Sequence, residues 1–294
     1  MTNNTNYRIP PRIAVINSFA GYGRCSMTEA LPVISAMGVC ACPVPTSVFS
    51  NHTGFPTHFA VDFTPYMQGY LEQWEQLGLV FDGIYCGYLG KPEQISIVSD
   101  FIKRQKEKGC AMVLVDPVMG DHGKAYRSIT PQHSQALASL SACADILTPN
   151  VTEACLLTDT TYKEDWNTEQ LEDLVKKLHA MGPGKIAVTG LSGQTVQGVT
   201  SGFVNYVSCQ SADSGHITSA SYYSPSTGPS RHGTGDIFAS ILAAGAVCGE
   251  ELSVSVQKAA DFIGTCIRVS EELGMPETDG VCFENFLHLL TPQK

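Results

Sequence analysis

The chain has 294 residues, 43% of them hydrophobic, and its 18 basic and 28 acidic residues give a formal net charge of −10. This length and apolar content are typical of a globular protein with a sizeable core. The acidic balance excludes a nucleic acid as the expected partner, because a phosphate backbone would meet a repulsive surface.

At the N-terminus, residues 1–11 are polar and contain no apolar segment of the kind found in signal peptides, so a flexible tail is predicted there. No later stretch approaches the ~20 apolar residues that span a bilayer, and no membrane association is expected. The 11 cysteines include no CxxC pair, which argues against a disulfide framework or a zinc site. They are expected to be small buried hydrophobes in a reducing compartment, the cytoplasm.

Along the chain, short apolar runs alternate with longer amphipathic segments, the pattern of βα units that build a largely parallel sheet. The predicted buried strands are 12–16, 82–86, 110–115, 145–147 and 185–188. The predicted helices are 92–108, 168–181 and 253–273, and each is followed by a glycine that ends it. Without a repeat, a low-complexity block or a charged linker, residues 12–294 are predicted to be a single α/β domain.

Each predicted strand is followed by polar residues. They are Asn17-Ser18, Gly87-Tyr88, Asp116-Pro117, Thr148-Pro149-Asn150 and Thr189-Gly190. Open α/β sheets bind ligands beyond the carboxyl ends of their strands, so these residues predict a binding site at one edge of the sheet.

The least regular part of the sequence is 208–231, which is rich in Ser, Gly and Pro. Its position just before a glycine turn suggests a mobile flap over a nucleotide. A plain surface excursion explains it equally well, and a β-hairpin there would serve either interpretation.

That glycine turn, residues 233–236 (GTGD), precedes an apolar helical run from Ile237. Two glycines around Thr234 predict backbone N–H groups that point to one spot at a helix N-terminus, where the helix dipole favours an anion. Asp236 places a carboxylate beside this anion cradle, which indicates a base next to a phosphoryl acceptor. Taken alone, the turn is also explained as an ordinary helix cap. Its convergence with the polar strand ends favours the ligand site.

Two carboxylates, Asp116 and Asp121, follow the strand that ends at residue 115. Mg²⁺ keeps several waters and accepts one or two carboxylates plus phosphate oxygens, so the pair suits a magnesium ion held against a nucleotide. The alternative is that Asp116 caps the strand and Asp121 begins a turn with Gly123.

Residues 148–153 (TPNVTE) leave the next strand and enter a helix. The helix dipole alone explains Glu153 at the helix start. It explains Asn150 less well, and this side chain is available to bind a water or a phosphate.

A further polar group, Ser18, His52 and Thr53, could face a small heteroaromatic ring, with Tyr88 and other aromatic residues available to stack against it. The alternative is an ordinary strand and turn over 48–54. These residues alone do not decide between the two.

Five motifs occur in the order and approximate spacing of the pyridoxal kinase branch of the ribokinase-like superfamily, which the chain resembles from Arg12 to about Leu290. The motifs are FSNHTG (49–54), GYLG (87–90), DPVMGD (116–121), TPN with Glu153, and GTGD (233–236). The resemblance implies a three-layer α/β/α sandwich with a mostly parallel central sheet, usually a homodimer. It also implies transfer of the γ-phosphate of ATP to the 5′-hydroxymethyl group of a pyridoxine-type vitamin.

Residue roles follow from the same resemblance. The implied catalytic residues are Asp236, the base for the hydroxymethyl proton, with the amides of Gly233, Thr234 and Gly235 as the anion hole. The implied magnesium and nucleotide residues are Asp116, Asp121, Asn150 and Glu153, with Thr148 and Thr189 close by. The implied vitamin pocket consists of Ser18, His52, Thr53 and Tyr88. A monovalent cation such as K⁺ is implied near Thr148 and Glu153.

The sequence therefore predicts an ATP- and Mg²⁺-dependent kinase of pyridoxal, pyridoxine or pyridoxamine that acts in vitamin B6 salvage. The first alternative is a kinase of hydroxymethylpyrimidine, a thiamin precursor whose ring and hydroxymethyl group are similar. The second is a ligand-binding homologue without transfer activity. The first loop, 17–26, departs from better-known members, which place a glutamine before the serine and a histidine or glutamine after it. This loop is expected to influence the choice of substrate.

Overall fold

A nine-stranded sheet runs through the centre of the computed structural model, which describes residues 9–192, 202–224 and 231–292. The strands are β1 (Arg12–Ala20), β2 (Cys40–Phe49), β3 (Ala60–Asp62), β4 (Gly83–Cys86), β5 (Met112–Val115), β6 (Gly120–Asp121), β7 (Lys124–Ala125), β8 (Ile146–Leu147), β9 (Lys185–Ser192), β10 (Phe203–Gln210) and β11 (Ile217–Ser224). Their order across the sheet is β11-β10-β9-β8-β5-β4-β1-β2-β3, and β6 and β7 form a separate hairpin.

The six strands from β2 to β9 across the middle of this sheet are parallel, and β3, β10 and β11 are added antiparallel at its edges. The side chains of β4 and β5 are all buried because helices cover both faces. Ile84 and Cys86 belong to one hydrophobic cluster and Tyr85 to the other, as the twofold alternation of a strand requires.

The helices form the two outer layers. They are α1 (Met27–Ala36), α2 (Thr64–Gln76), α3 (Pro92–Glu107), α4 (Pro131–Ser141), α5 (Val151–Thr158), α6 (Thr168–Met181), α7 (Thr234–Val247) and α8 (Leu252–Glu272). Two short 3₁₀ segments, Glu277–Asp279 and Phe283–Leu290, follow. The buried residues of α1, α7 and α8 share one cluster, and those of α2 to α6 share the other. The predicted three-layer α/β/α class is confirmed.

Most predicted elements lie where the sequence indicated, and α6 matches its predicted bounds. Asn167 and Gln170 form a capping box at its start, and Gly182 with φ 139° ends it. The first strand differs from the prediction, because β1 continues to Ala20 rather than ending at residue 16. Asn17 and Ser18 therefore lie within β1, where the pairing with β2 shifts register between Asn17 and Phe19.

The segment 208–231 is also more regular than predicted. Residues 208–210 and 217–224 belong to the antiparallel β10–β11 hairpin, which extends the main sheet. Gln210 pairs near Lys185, at the start of β9, so the hairpin turn lies at the sheet edge opposite the strand carboxyl ends. Residues 208–224 therefore belong to a regular edge of the sheet whose hairpin turn lies away from the predicted site, and 225–230 lie outside the described residues.

All 11 cysteines fall in the described ranges and all are free thiols. Cys86, Cys110, Cys155 and Cys266 are buried as expected, whereas Cys143 is half-buried and Cys40 is exposed. None of the helices in the described ranges combines the length and apolarity needed to cross a bilayer. Residues 1–8 of the predicted tail lie outside the description, and Ile9 is 86% exposed.

Candidate active site

The glycine turn opens α7 at the sheet edge where the parallel strands end. Gly233 is the N-cap, with φ 86° and ψ −16°, a left-handed conformation that glycine adopts readily. A Cβ atom at Gly233 would collide with the carboxyl group of Glu29 and the backbone oxygen of Arg24. A Cβ atom at Gly235 would meet no atom within 4 Å. The turn is thus packed tightly on one side and open on the other.

Asp236 lies on the first turn of α7 and its carboxylate is fixed by two hydrogen bonds. Asn17 Nδ2 donates to Oδ1 at 2.9 Å, and the backbone N–H of Ser26 donates to Oδ2 at 2.7 Å. The residue remains partly exposed. Burial raises its pKa, while the bonds from Ser26 and Asn17 oppose that shift. The geometry holds the carboxylate in one orientation.

Asn17 connects three elements, and sequence reasoning had named it only as a polar strand exit. Its Oδ1 accepts from the backbone N–H of Ser18 at 2.8 Å and of Tyr88 at 3.0 Å, while its Nδ2 serves Asp236. Gly87 is needed beside it, because a Cβ atom there would approach Asn17 Nδ2 to 2.5 Å. The available sequence signal was an asparagine directly after the apolar run 13–16, and the structure shows its side chain to be fully buried.

Ser26 is a second residue that the sequence did not reveal. It has φ 55° and ψ −131°, an unfavourable backbone conformation for a residue with a side chain. This conformation directs its N–H toward Asp236, and its Oγ accepts a bond from Ser18 Oγ at 2.9 Å. The strained backbone of Ser26 therefore contributes to the orientation of the Asp236 carboxylate.

Asp116, Glu153 and Asp236 form a cluster of carboxyl groups at this edge. Burial, followed by the negative charges of Glu153 and Asp236, raises the pKa of Asp116 well above its ordinary value. Burial also raises the pKa of Glu153 to about 8. None of the three takes part in an ion pair within the described residues. These carboxyl groups repel one another and have no basic side chain to balance their charge, so a cation that prefers oxygen ligands would be bound favourably here.

Asn150 and Glu153 form the capping box of α5. Asn150 accepts from the Glu153 backbone N–H at 3.0 Å, and Glu153 Oε2 accepts from the Asn150 N–H at 2.8 Å. Asn150 Nδ2 also donates to the Gly120 oxygen at 2.9 Å, and Glu153 Oε1 accepts from the Met119 N–H at 3.1 Å. Both side chains therefore tie the loop after β5 to α5. The structure supplies the capping role of Asn150 that the sequence left open.

The remaining predicted cation and nucleotide residues lie around this pair. Thr148 is buried, and its hydroxyl favours the ionised form of Asp116. Thr189 lies within β9, which continues beyond the predicted end at residue 188, and its backbone N–H donates to the Pro149 oxygen at 3.0 Å, which joins β9 to the residues after β8. Asp121 is exposed at the β6–β7 turn and accepts from the His122 N–H at 2.8 Å.

Tyr126, just after β7, faces the whole carboxyl cluster and was not predicted. Burial raises the pKa of its hydroxyl, and Glu153, Asp121, Asp116 and Asp236 raise it further in that order. The residue is nevertheless 44% exposed. A phenol above several carboxylates can donate a hydrogen bond to a carboxylate or to a bound phosphate.

The donor set at this edge fits a magnesium ion held largely through water. The described residues contain no group of three His, Cys, Asp or Glu side chains arranged to ligate a metal directly. Mg²⁺ retains several waters and needs few protein oxygens when phosphates complete its shell. The clustered carboxyls of Asp116 and Glu153 supply the negative charge that such an ion neutralises.

The four predicted pocket residues differ in their freedom to bind a ligand. Thr53 is exposed and Tyr88 is half-buried, with its ring 6.3 Å from that of Phe49 in an edge contact. Ser18 is buried and bonded to Ser26. His52 is buried with both ring nitrogens in contact with backbone: Nε2 lies 2.7 Å from the Thr278 oxygen, and the Gly54 N–H donates to Nδ1.

His232, immediately before the glycine turn, packs on this loop. The centroid of its ring is 4.5 Å from that of the His52 ring. The ring of Phe55 also packs on His52, with a centroid distance of 4.7 Å. Burial, then the neighbouring His52, lowers the pKa of His232. The residue before the turn thus couples the 51–54 loop to α7.

Arg231 anchors the other side of the turn. Its side chain is 2% exposed, and Nε donates to Glu271 Oε1 at 3.0 Å. It also donates to the backbone oxygens of Met275, Pro276 and Gly280 at 2.8 to 3.0 Å. The start of α7 is therefore fastened to the end of α8 and the segment that follows.

Two cavities lie away from this edge. One, of about 680 Å³, is bounded by α8, Tyr222 and Leu289, and the other, of about 390 Å³, lies between α6 and the β10–β11 hairpin. Neither includes a predicted site residue. The candidate site is thus formed by the strand ends, the adjoining loops and the start of α7.

Comparison with known proteins identifies the family. Residues 30–280 match the phosphomethylpyrimidine kinase family model, and the chain belongs to that family. Along the chain, the match includes the 49–54 loop, both carboxylate motifs and the glycine turn.

The individual relatives include pyridoxal kinases and a hydroxymethylpyrimidine kinase, the two activities considered from the sequence. The chain is 28% identical over 276 residues to a pyridoxine/pyridoxal/pyridoxamine kinase of Bordetella avium, covering 91% of this chain and 90% of that protein. It is 32% identical over 186 residues to a hydroxymethylpyrimidine/phosphomethylpyrimidine kinase of Haemophilus influenzae, covering 62% of this chain and 63% of that protein. The resemblance to pyridoxal kinases is confirmed.

A solved structure agrees over nearly the whole chain. A Bacteroides thetaiotaomicron protein described as a phosphomethylpyrimidine kinase superposes with a TM-score of 0.87 at 32% identity. The match covers 97% of this chain and 98% of that one, and that crystal form contains pyridoxal.

Proposed function

We propose that the protein transfers the γ-phosphoryl group of ATP to the 5′-hydroxymethyl group of pyridoxal, pyridoxine or pyridoxamine. The observation that carries the proposal is the carboxylate of Asp236, fixed by Asn17 and Ser26 at the N-terminus of α7. Pyridoxal in the crystal of the Bacteroides relative supports the choice of acceptor.

In the proposed reaction, Asp236 accepts the hydroxyl proton as the acceptor oxygen bonds to the γ-phosphorus of ATP. The bond from that phosphorus to the β,γ-bridging oxygen breaks, and ADP leaves. Phosphoryl transfer asks the protein mainly for positioning and charge stabilisation. The first-turn N–H groups of a helix lack partners within the helix, so the Gly233, Thr234 and Gly235 amides are suited to stabilise the transferring group.

The carboxyl cluster is proposed to serve the nucleotide and its cation. Bound Mg²⁺ would neutralise phosphate charge in the transition state. The residues proposed to hold it, largely through water, are Asp116, Asp121, Glu153 and Thr148. Those proposed to contact the nucleotide are Asp116, Asn150, Glu153 and Thr189. A monovalent cation such as K⁺ near Thr148 and Glu153 is part of the same proposal.

The acceptor is proposed to lie against Ser18, Thr53 and Tyr88. His52 contributes its ring face, because its nitrogens already contact the Thr278 and Gly54 backbone. An exposed threonine and a half-buried phenol can bond the substituents of a pyridine ring. We further propose that the protein is a homodimer, which the family resemblance supports. We also propose that it is cytoplasmic, which the free thiols support.

A second candidate is phosphorylation of hydroxymethylpyrimidine, which the family description and the Haemophilus relative favour. A homologue that binds ligands without transfer is the remaining alternative.

One assay separates these functions: release of ADP from ATP and Mg²⁺ with each vitamer and with hydroxymethylpyrimidine as acceptor. The proposal expects release with a B6 vitamer and its loss in Asp236→Asn. Release with the pyrimidine alone would replace the proposed acceptor. Binding of both classes without release in the wild type would contradict kinase activity.

A further inference from the structure

Glu29 is a buried carboxyl group that the proposed reaction does not use. It lies on the first turn of α1, its residue is 0% exposed, and neither carboxyl oxygen has a hydrogen-bond partner in the described structure. A Cβ atom at Gly233 would collide with Oε2, so the group lies directly behind the turn that opens α7. Together with the Arg24 oxygen and the positive φ of the residue, the space that Glu29 fills explains why the turn needs a glycine at this position.

The charges around Glu29 come from several elements. Asp236, on α7, and Glu284, in the second 3₁₀ segment, oppose its ionisation, and Arg24 favours it. Arg24 is already committed, since Nε donates to Glu284 at 2.7 Å and Nη1 donates to the Asp279 oxygen at 3.0 Å.

Three further titratable groups, which ordinarily carry no charge at neutral pH, also face Glu29. They are Cys25, Tyr85 and Cys266. No described group forms an ion pair with Glu29.

An isolated carboxylate without partners in such a place is strongly unfavourable, whereas the neutral acid is tolerated. Burial, then the negative charge of Asp236, raises the pKa of Glu29 well above its ordinary value. Asp236 keeps two donors to its carboxylate, and Glu29 has none. Of these two neighbouring acids, the donors therefore favour the charge on Asp236, and their absence favours the proton on Glu29.

We propose that Glu29 is a positioning residue of the phosphoryl-transfer site, which supports the Gly233 turn as a neutral carboxylic acid and weakens nucleotide binding when it loses its proton. Ionisation of Glu29 would place a second negative charge behind the 233–235 amides that face the phosphate. The unfavourable buried charge would displace the Gly233 turn. This inference rests on the proposed function for its catalytic part, while its structural part is independent of the acceptor.

The first test compares the wild type with Glu29→Gln, which has the same shape but no titrating proton, by thermal unfolding without ligand. A carboxyl group whose folded pKa is raised binds its proton more tightly in the folded state, so its stabilising effect is lost as pH rises toward that pKa. As the pH rises above about 4.3, the ordinary pKa of a glutamate, the wild type is therefore expected to lose Tm relative to Glu29→Gln. The matched control, Glu272→Gln, changes an exposed glutamate on α8 and should follow the wild type.

The second test measures the affinity of a non-hydrolysable ATP analogue with Mg²⁺, which needs no acceptor. Glu29→Gln is expected to bind within about threefold of the wild type near pH 6.5 and to keep that affinity as the pH is raised, whereas the wild type weakens by about tenfold once Glu29 loses its proton. The kcat/KM for the acceptor alcohol should depend on pH in the same way as the nucleotide affinity, in the wild type and in Glu29→Gln. A wrong acceptor removes the kinetic signal but leaves the unfolding and binding curves intact, so the two failures are distinguishable.

Two results would overturn the proposal. One is identical pH dependence of Tm and affinity in the wild type and Glu29→Gln. The other is a loss of about tenfold or more in the affinity of Glu29→Gln near pH 6.5, which would mean that the ionised form is required. Should the variant fail to fold, the ¹³C shift of the Glu29 carboxyl carbon in labelled wild type decides: an ionised group at neutral pH contradicts the proposal, and a protonated one supports it.

Discussion

Asn17 Nδ2 and Asp236 Oδ1 lie 2.9 Å apart although 219 positions separate them in the chain. This hydrogen bond joins the central strand β1 to the first turn of α7. Because Asn17 also receives two backbone N–H groups through its oxygen, its amide cannot rotate without breaking all three contacts. The orientation of the Asp236 carboxylate is therefore set by the sheet.

Replacing Asp236 by asparagine is expected to reduce kcat by about 10² to 10⁴, because a positioned general base contributes on that scale. ATP affinity should stay within about threefold, since the amides of the turn remain. Steady-state kinetics and calorimetric titration measure the two quantities. The control is Asp82→Asn, which removes a carboxylate that accepts the Arg12 N–H at the opposite sheet edge. Equal turnover in both variants would show that Asp236 is not the base.

Asn17→Ala is expected to lower kcat by about tenfold or more and to shift the acid limb of the kcat/KM profile to higher pH. The sign follows from the hydrogen bond, which favours the ionised form of Asp236, so its loss raises the pKa of that carboxyl. Asn167→Ala, which breaks the capping box of α6, is the control for lost amide contacts. An unshifted acid limb in Asn17→Ala would remove the link between this bond and the base.

The two glycines of the turn are expected to respond differently to alanine. Gly233→Ala combines a positive φ with a collision against Glu29, so its Tm should fall by several degrees or the variant should not fold. Gly235→Ala places its methyl group in open space, so its stability should match the wild type while kcat/KM falls. Thermal unfolding and kinetics of the pair test this. Wild-type kinetics in a folded Gly235→Ala would argue against a ligand in front of the turn.

Arg231→Ala is expected to destabilise the protein by about 3 kcal/mol, because it leaves several buried acceptors and Glu271 without their donor. Arg268→Ala removes an exposed pair with Glu272 on the same helix and should change stability by less than about 0.5 kcal/mol. Urea unfolding of both variants provides the comparison. Similar losses in the two would contradict the anchoring role of Arg231.

Local patterns made much of this fold predictable. Apolar runs located the central strands, and the asparagine, glutamine and glycine signals around α6 fixed both its ends. The same capping signal, asparagine followed three residues later by glutamate, was present at Asn150 and Glu153 and could have predicted their mutual bonds.

Features that depend on distant contacts were not predictable in this way. The role of Asn17, the backbone conformation of Ser26 and the position of Glu29 behind Gly233 each require a partner from another part of the chain. The β10–β11 hairpin was only one of the possibilities that the sequence allowed for 208–231, because β11 is rich in serine and lacks the apolar alternation of a half-buried strand.

The separation between the rigid core of the site and its loops has a practical consequence. The proton acceptor is aligned by a strand and a helix, whereas Thr53 and its neighbours lie on a surface excursion that contacts α7 through His232. Residues 51–59 therefore offer a region in which directed evolution can search for new acceptor alcohols while the reactive carboxylate keeps its alignment.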